Sequence, residues 1–405
     1  MLNLLFVDIS QSHGAANLDL AATVGELTRR GHACALLALK HALFRDALSP
    51  QAVQYLDVED SGWRNMWVVP DDFLARLPVP FLVRVGRAVQ FSGYRKRVAE
   101  QVRDLLHDLR PDEVHCNSAN ARLAPILAAC RGAGVPAVLH ARHVPEPTRL
   151  DRALAAEARH VLALSDAIRE SVVAKLRVPP GRCATWHNGL PFDDADRIAR
   201  ASRVREEYGV PPGGKVVLAV GRVARANGHD VFLDAMVPLL RERPDVTAFV
   251  VGRSSSRDRE FADAVIRRAA RDPGSERLRF VVDRRDEESF LAAANVLVRP
   301  HVALDPTDGI VEGFARDLLL GLGMGVPVVT TAMGGAARIV RDGETGLVVP
   351  PRDANALAEA IRRVLDHPAE ARAMAERARE EVRAAHSLAR RTDELLAIYQ
   401  EKVLG

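Results

Sequence analysis

A chain of 405 residues exceeds what one hydrophobic core usually organises, so two α/β domains of roughly 150 to 200 residues each are expected. Apolar residues make up 48% and charged residues 27%, and the net charge of +3 is spread as mixed arginine and carboxylate rather than in blocks, which argues against a nucleic-acid partner. Cys34, Cys116, Cys130 and Cys183 have neither metal-ligand spacing nor a disulfide pattern, so buried thiols in a reducing cytoplasm are expected.

In chain order, the run Met1 to Asp8 is too short and lacks the basic start for a signal peptide, and reads as a buried strand. No run approaches the eighteen or so apolar residues of a membrane span. The expected location is therefore cytoplasmic, with at most peripheral contact at the inner face of a membrane. A helix near 17–30 and a strand near 33–38 follow, and the segment 50–92 is irregular. A helix near 94–109, a strand at Glu113–Cys116, a helix to about 132 and a strand at Pro136–His140 continue the alternation. Such βαβ order predicts a parallel sheet.

Between 178 and 214 the chain is punctuated by Pro-Pro-Gly, His-Asn-Gly-Leu-Pro and Pro-Pro-Gly-Gly, which marks a domain boundary. Strands are then predicted at Lys215–Val220, Thr247–Val251, Arg279–Val282, Asn295–Arg299, Val326–Thr330 and Gly346–Val349. The expected division is 1–190, 191–385, and a final helix, 386–405, able to pack back on the first domain. The expected fold is two Rossmann-like, doubly wound domains facing a central cleft, where the C-terminal ends of parallel strands bind ligands.

The strongest local pattern is Asp308-Gly309-Ile310-Val311-Glu312-Gly313-Phe314-Ala315-Arg316-Asp317, which runs into Leu318 and ends at Gly325-Val326-Pro327. A polar loop entering a helix at a glycine offers unpaired backbone N–H groups to a phosphate. The same spacing also fits a plain αβ turn.

Glu-Gly-Phe at Glu312, with Gly325-Val326-Pro327-Val328-Val329 and Gly334-Gly335, resembles the retaining GT4-type glycosyltransferases of GT-B fold. Other residues fall in the same order: Arg30-Gly31-His32, Ser165-Asp166-Ala167, Asn188-Gly189, Val220-Gly221-Arg222 with Gly228 and Asp230, and Val340-Arg341-Asp342-Gly343-Glu344-Thr345-Gly346 through Pro350. The resemblance extends over most of the chain. It implies a nucleotide-diphosphate-sugar donor, an acceptor that is a small molecule, a lipid-linked group or a glycan, and no cofactor or required metal. It further implies that Arg222 holds the diphosphate, that the Gly313, Phe314 and Ala315 amides support it, and that Glu312 contacts the sugar. The first-domain loop containing His13, Gly14, Ala15 and Asn17 would lie near the donor phosphate and acceptor. A first-domain catalytic residue falls on Arg142 or His143, with His140 read as buried strand.

Four departures bear on activity. The family's second glutamate, which takes the ribose hydroxyls, is Leu320, so a charge-assisted contact of about 1.5 to 3 kcal/mol is missing. The lysine before Gly228 is Asn227, in a chain with five lysines against 51 arginines; Arg225 is the nearby substitute. Ala15 stands where a second loop glycine is usual. Asp283-Arg284-Arg285 lies where the base-binding loop would come, with Arg284 the candidate contact. The losses at 227 and 320 motivate an alternative to the active transferase: a catalytically silent or non-glycosyl GT-B protein.

Overall fold

The computed structural model describes residues 1–9, 15–38, 54–57, 96, 98–143, 148–192, 194–252, 258–272, 275–282, 284, 286–302, 315–333 and 335–405. The chain divides into two compact units, residues 1–190 with 388–405, and residues 191–387.

The first unit holds a seven-stranded sheet. Its strands are β1 (Asn3–Asp8), β2 (Ala33–Ala38), β3 (Gln54–Asp57), β4 (Glu113–Cys116), β5 (Ala137–Ala141), β6 (His160–Ala163) and β7 (Cys183–Thr185). All pairs are parallel, in the order β3-β2-β1-β4-β5-β6-β7. The second unit holds β8 (Lys215–Val220), β9 (Val246–Gly252), β10 (Leu278–Val282), β11 (Val296–Arg299), β12 (Val328–Thr331) and β13 (Leu347–Val349), again all parallel, in the order β10-β9-β8-β11-β12-β13. Burial on both faces explains why these strands are nearly continuous apolar runs rather than alternating ones. Strands β3, β6 and β7 were not foreseen. They are only three or four residues long, and β6 and β7 carry His160 and Thr185 where an apolar run would be expected.

Each sheet reverses direction once, between β1 and β4 and between β8 and β11. At such a switch point the loops leaving the two central strands diverge and open a crevice at the C-terminal edge. The helices between strands are set by local signals: Ser165 accepts from the Ile168 amide at the start of Asp166–Leu176, Asp353 does the same for Ala356, and Gly134 ends Ala124–Ala133 in the left-handed region at φ 71°.

The last helix, Leu388–Ile398, belongs to the first unit. Gly189 makes room for it, since a Cβ there would lie 2.6 Å from the Leu388 Cα. The Trp186 indole donates to the Arg391 carbonyl at 2.8 Å, and the Arg30 guanidinium reaches Asp393 and the Ala389 carbonyl. Beyond it, the fully buried Tyr399 hydroxyl meets His115 Nδ1 at 2.6 Å.

His115 packs edge-on to His140, whose ring lies 5.1 Å from that of Trp186. Burial first, and then the Arg142 charge, push the His115 imidazole down to about 3, and His140 well below its ordinary value. Both rings stay neutral when folded and become protonated only in the unfolded chain, near 6.5. Their contribution to stability is therefore complete above about pH 6.5 and is lost as pH falls toward the depressed folded values. Neither ring nitrogen of His140 has a hydrogen-bond partner among the described residues, so a phenyl ring should serve as well. The expected outcome for His140→Phe is an unchanged or higher melting temperature at pH 7.5 and a shallower loss between pH 6.5 and 4.5. A melting temperature several degrees lower at pH 7.5 would show that the imidazole nitrogens are bonded after all.

Candidate functional site

The C-terminal edge of the first sheet carries a knot of buried polar side chains. Asp8 closes β1, Asn117 follows β4, Arg142 follows β5, Asn188 follows β7, and Asn17 and Asp19 lie on the helix Ala15–Arg29 that leaves β1. Asp8 Oδ2 accepts from Asn17 and Asn117, both at 2.9 Å. Arg142 Nε donates to Asn117 Oδ1 at 2.8 Å and its Nη2 to Asn188 Oδ1 at 3.2 Å, while Asn188 Nδ2 donates to Asp19 Oδ2 at 2.6 Å. Arg142 Nη1 lies 3.7 Å from the same Asp19 oxygen. Burial lowers the guanidinium's proton affinity, and Asp19 and Asp8 pull it back up.

Of the residues the sequence singled out here, Ala15 and Asn17 stand in the helix rather than in a loop, and the Asn17 amide faces Asp8. Arg142 is bound within the knot, whereas His143 beside it is exposed. His140 is fully buried. His13 and Gly14 lie outside the described residues. Asp19 and Asn117 were missed, although each charged or amide residue that ends an apolar run, as Asp8 and Asn117 do, is a legible sign of a strand's functional edge.

In the second unit the corresponding edge is built by two crossing backbones. Gly228, at φ 66°, lies so close to β11's exit that a Cβ would stand 1.8 Å from the Pro300 carbonyl oxygen, and a Cβ on Gly252 would stand 1.9 Å from the Gly221 oxygen. The Val302 amide donates to the Ala226 carbonyl at 2.9 Å across the same gap. Asn227 Nδ2 donates to the Arg222 carbonyl at 2.6 Å, which folds the loop leaving β8. Asn227 therefore acts on the loop's shape. The Arg222 side chain is 62% exposed, with a single long ion pair among the described residues, to Asp258 at 3.7 Å, an interaction too weak and too wet to hold it. Arg225 does not stand in for the missing lysine in this arrangement: its guanidinium lies 5.0 Å over the Phe261 ring.

Arg299, 4% exposed at the end of β11, pairs at 3.5 Å with Asp317 in the first turn of the helix Arg316–Gly323. This pair, which the sequence reading overlooked, ties that helix start to the switch point. His229 is buried beside it. Burial and the neighbouring His301 push its imidazole down to about 4, so it is neutral at physiological pH. Ala315 is the N-cap residue of the Arg316–Gly323 helix and has no side-chain cap; Glu312, Gly313 and Phe314 lie outside the described residues. Arg284 is engaged elsewhere: it grips Asp286 in a bidentate pair at 2.7 and 2.6 Å, reaches Glu207 and the Tyr208 hydroxyl, and stacks over Phe290. Leu320 is 2% exposed, packed within its helix's core face.

Two expectations follow. Leu320→Glu buries a carboxylate among apolar neighbours and should destabilise the protein by about 3 kcal/mol or more without creating nucleotide affinity; a melting curve and a calorimetric titration check both, and an undiminished melting temperature would contradict the packing. Arg142→Ala leaves Asp19 and Asp8 buried without their cation and should cost about 3 to 5 kcal/mol, read as a lower midpoint in urea, with loss of under about 1 kcal/mol counting against the knot.

Comparison with known proteins gives concordant matches over both units. A family model described as "Glycosyltransferase Family 4" matches residues 20–194, and one described as "Glycosyl transferases group 1" matches residues 214–367. The chain is similar to alpha-D-kanosaminyltransferase of Streptomyces kanamyceticus, 27% identical over 325 residues, which is 76% of this chain and 80% of that protein. It is also similar to the lipopolysaccharide core biosynthesis mannosyltransferase LpsB of Rhizobium meliloti, 30% identical over 178 residues, which is 44% of this chain and only 46% of that protein. Among solved structures, HepE of Anabaena in complex with UDP and glucose superimposes with a TM-score of 0.73 at 19% identity, over 99% of this chain and all of that one. Identity that low speaks for the fold alone, two Rossmann-like domains of GT-B type.

Proposed function

We propose that this chain, which belongs to the GT4-type glycosyltransferases, transfers a sugar from a nucleotide-diphosphate-sugar donor to an acceptor with retention of anomeric configuration. The observation that carries the donor assignment is Arg222: a guanidinium 62% exposed, at the switch point of a parallel sheet, on a loop whose shape is fixed by Gly221, Asn227 and Gly228. A cation carried to that edge by a fixed backbone meets the charge that grows on a departing diphosphate, and the uncapped start of Arg316–Gly323 adds backbone donors of the same sign. HepE, of the same fold, binds UDP and glucose, which supports a donor of that chemical class. No metal is required in this reading, because Arg222 and the helix start supply the positive charge.

In the step itself, the bond between the anomeric carbon and the diphosphate oxygen breaks as the acceptor oxygen bonds to the same face of that carbon. The acceptor proton passes to the departing phosphate oxygen. No protein nucleophile enters, and the chain's own contribution is position and charge. Glu312 contacts the sugar in this reading. With Leu320 buried, the ribose is held without the glutamate usual in the family, so the diphosphate carries a larger share of donor affinity. The acceptor class remains that implied by the family: a small molecule, a lipid-linked group or a glycan.

A calorimetric screen against nucleoside diphosphates and their sugars should give saturable micromolar binding of one of them, and Arg222→Ala should lower turnover of that donor on the order of 100-fold. No binding at millimolar concentration, or an unchanged rate for the variant at saturating donor, would overturn the assignment.

A further inference from the structure

The opposite edge of the second sheet holds a second cationic site. A cavity of about 240 Å³ opens where β8, β11 and β12 begin, between the helix Arg197–Glu207 and the start of the helix Pro368–His386. It lies about 20 Å from Arg222, the length of a six-residue strand. Its volume is below the ~300 to 1,000 Å³ of sites that take whole cofactors, so it suits a small ligand. Among the described residues that line it are three cations, Arg197, Lys215 and Arg372, and no acid.

The acids within electrostatic reach are already held by other arginines. Asp245, the carboxylate that feels the Lys215 charge, is gripped at both oxygens by Arg243. Asp194 and Glu376, which feel Arg197, pair with Arg379, and Asp194 with Arg383 as well. Glu370, in the first turn of Pro368–His386, pairs with Arg363 at 2.5 Å. Neither Lys215 nor Arg372 forms an ion pair among the described residues.

A neutral donor and a helix dipole add to these cations. Asn295 Oδ1 already accepts from the Val216 amide at 2.9 Å and from Arg205 at 3.1 Å. That fixes which end of the amide is the oxygen and presents the NH2 end as a donor with no acceptor of its own among the described residues. Pro368 opens a 19-residue helix whose N-cap, His367, makes no side-chain cap, so the positive end of the helix dipole also meets the cavity. Arg197 Nη1 donates to the carbonyl of Met324, which ends the helix Arg316–Gly323. One guanidinium thus touches both the cavity and the far end of the helix whose start faces the proposed donor phosphate.

We propose that this cavity is a binding site for inorganic phosphate or pyrophosphate, separate from the donor site. Phosphate oxygens match the planar forks of two arginines, a lysine and the neutral Asn295 amide. Binding there braces Arg197–Glu207, Pro368–His386 and the end of Arg316–Gly323 together, and so stabilises the second unit.

The test is calorimetric titration of the whole chain with inorganic phosphate and with pyrophosphate in separate arms, at constant ionic strength, on wild type, Arg222→Ala and the double variant Lys215→Ser/Arg372→Ser. The expected result is saturable one-to-one binding of at least one anion with Kd below about 1 mM, unchanged in Arg222→Ala and weakened about tenfold or more in the double variant. Both substituted side chains reach solvent, and melting curves without ligand confirm that the double variant is folded. Absence of saturation to about 10 mM, or an affinity indifferent to the double substitution, overturns the proposal. Affinity lost in Arg222→Ala but kept in the double variant also overturns it, while leaving the donor assignment standing.

Discussion

Gly228 passes so close to the Pro300 carbonyl that no side chain fits between them, and the second unit's site depends on that contact. It fixes the loop leaving β8 against the exit of β11, the two strands that flank the reversal of the sheet. With the backbones locked, Asn227 turns to hold the Arg222 carbonyl and the Arg222 side chain is carried out into solvent. A methyl group at 228 would push the loops apart and shift the cation, which matters for a charge that acts on one developing anion.

The two switch points use charge in opposite ways. In the first unit Arg142 is desolvated and surrounded by Asn117, Asn188 and Asp19, so its charge serves to hold four chain segments together. In the second unit Arg222 is wet and only loosely paired, so its charge is available to a ligand. A buried ion pair of the first kind specifies geometry at the cost of desolvation. An exposed cation of the second kind adds little to stability and can be used in binding. Arginine suits both because its planar fork keeps several donors in fixed directions.

Much of what resembles a family signature is architecture. Gly189 admits the last helix, Gly228 admits Pro300, and Gly346 sits where a Cβ would strike Val340. In the loop from Val340 to Pro350, the Thr345 hydroxyl accepts from the Arg341 amide and Asp342 accepts from the Val348 amide, so these polar residues close a turn ahead of β13. The match of such residues to a family reports a shared backbone path. The chemistry is left to the few side chains that the path exposes.

By itself the sequence determined the two parallel sheets, because apolar runs of four to seven residues separated by helical patterns can be buried on both faces in no simpler way. It also marked Arg222, Gly228 and the Asp308–Asp317 stretch, whose spacing is local and survives without knowledge of the rest of the chain. It missed β3, β6 and β7, which depend on pairing with neighbours distant in sequence. Only the tertiary structure decided that Arg142 belongs to a buried knot, that Arg284 reaches Glu207, and that Leu320 faces the core. Each of these rests on a contact between residues far apart in the chain or on burial. Neither can be read from a residue's type, because the same arginine serves as brace or as ligand contact according to what the fold brings beside it.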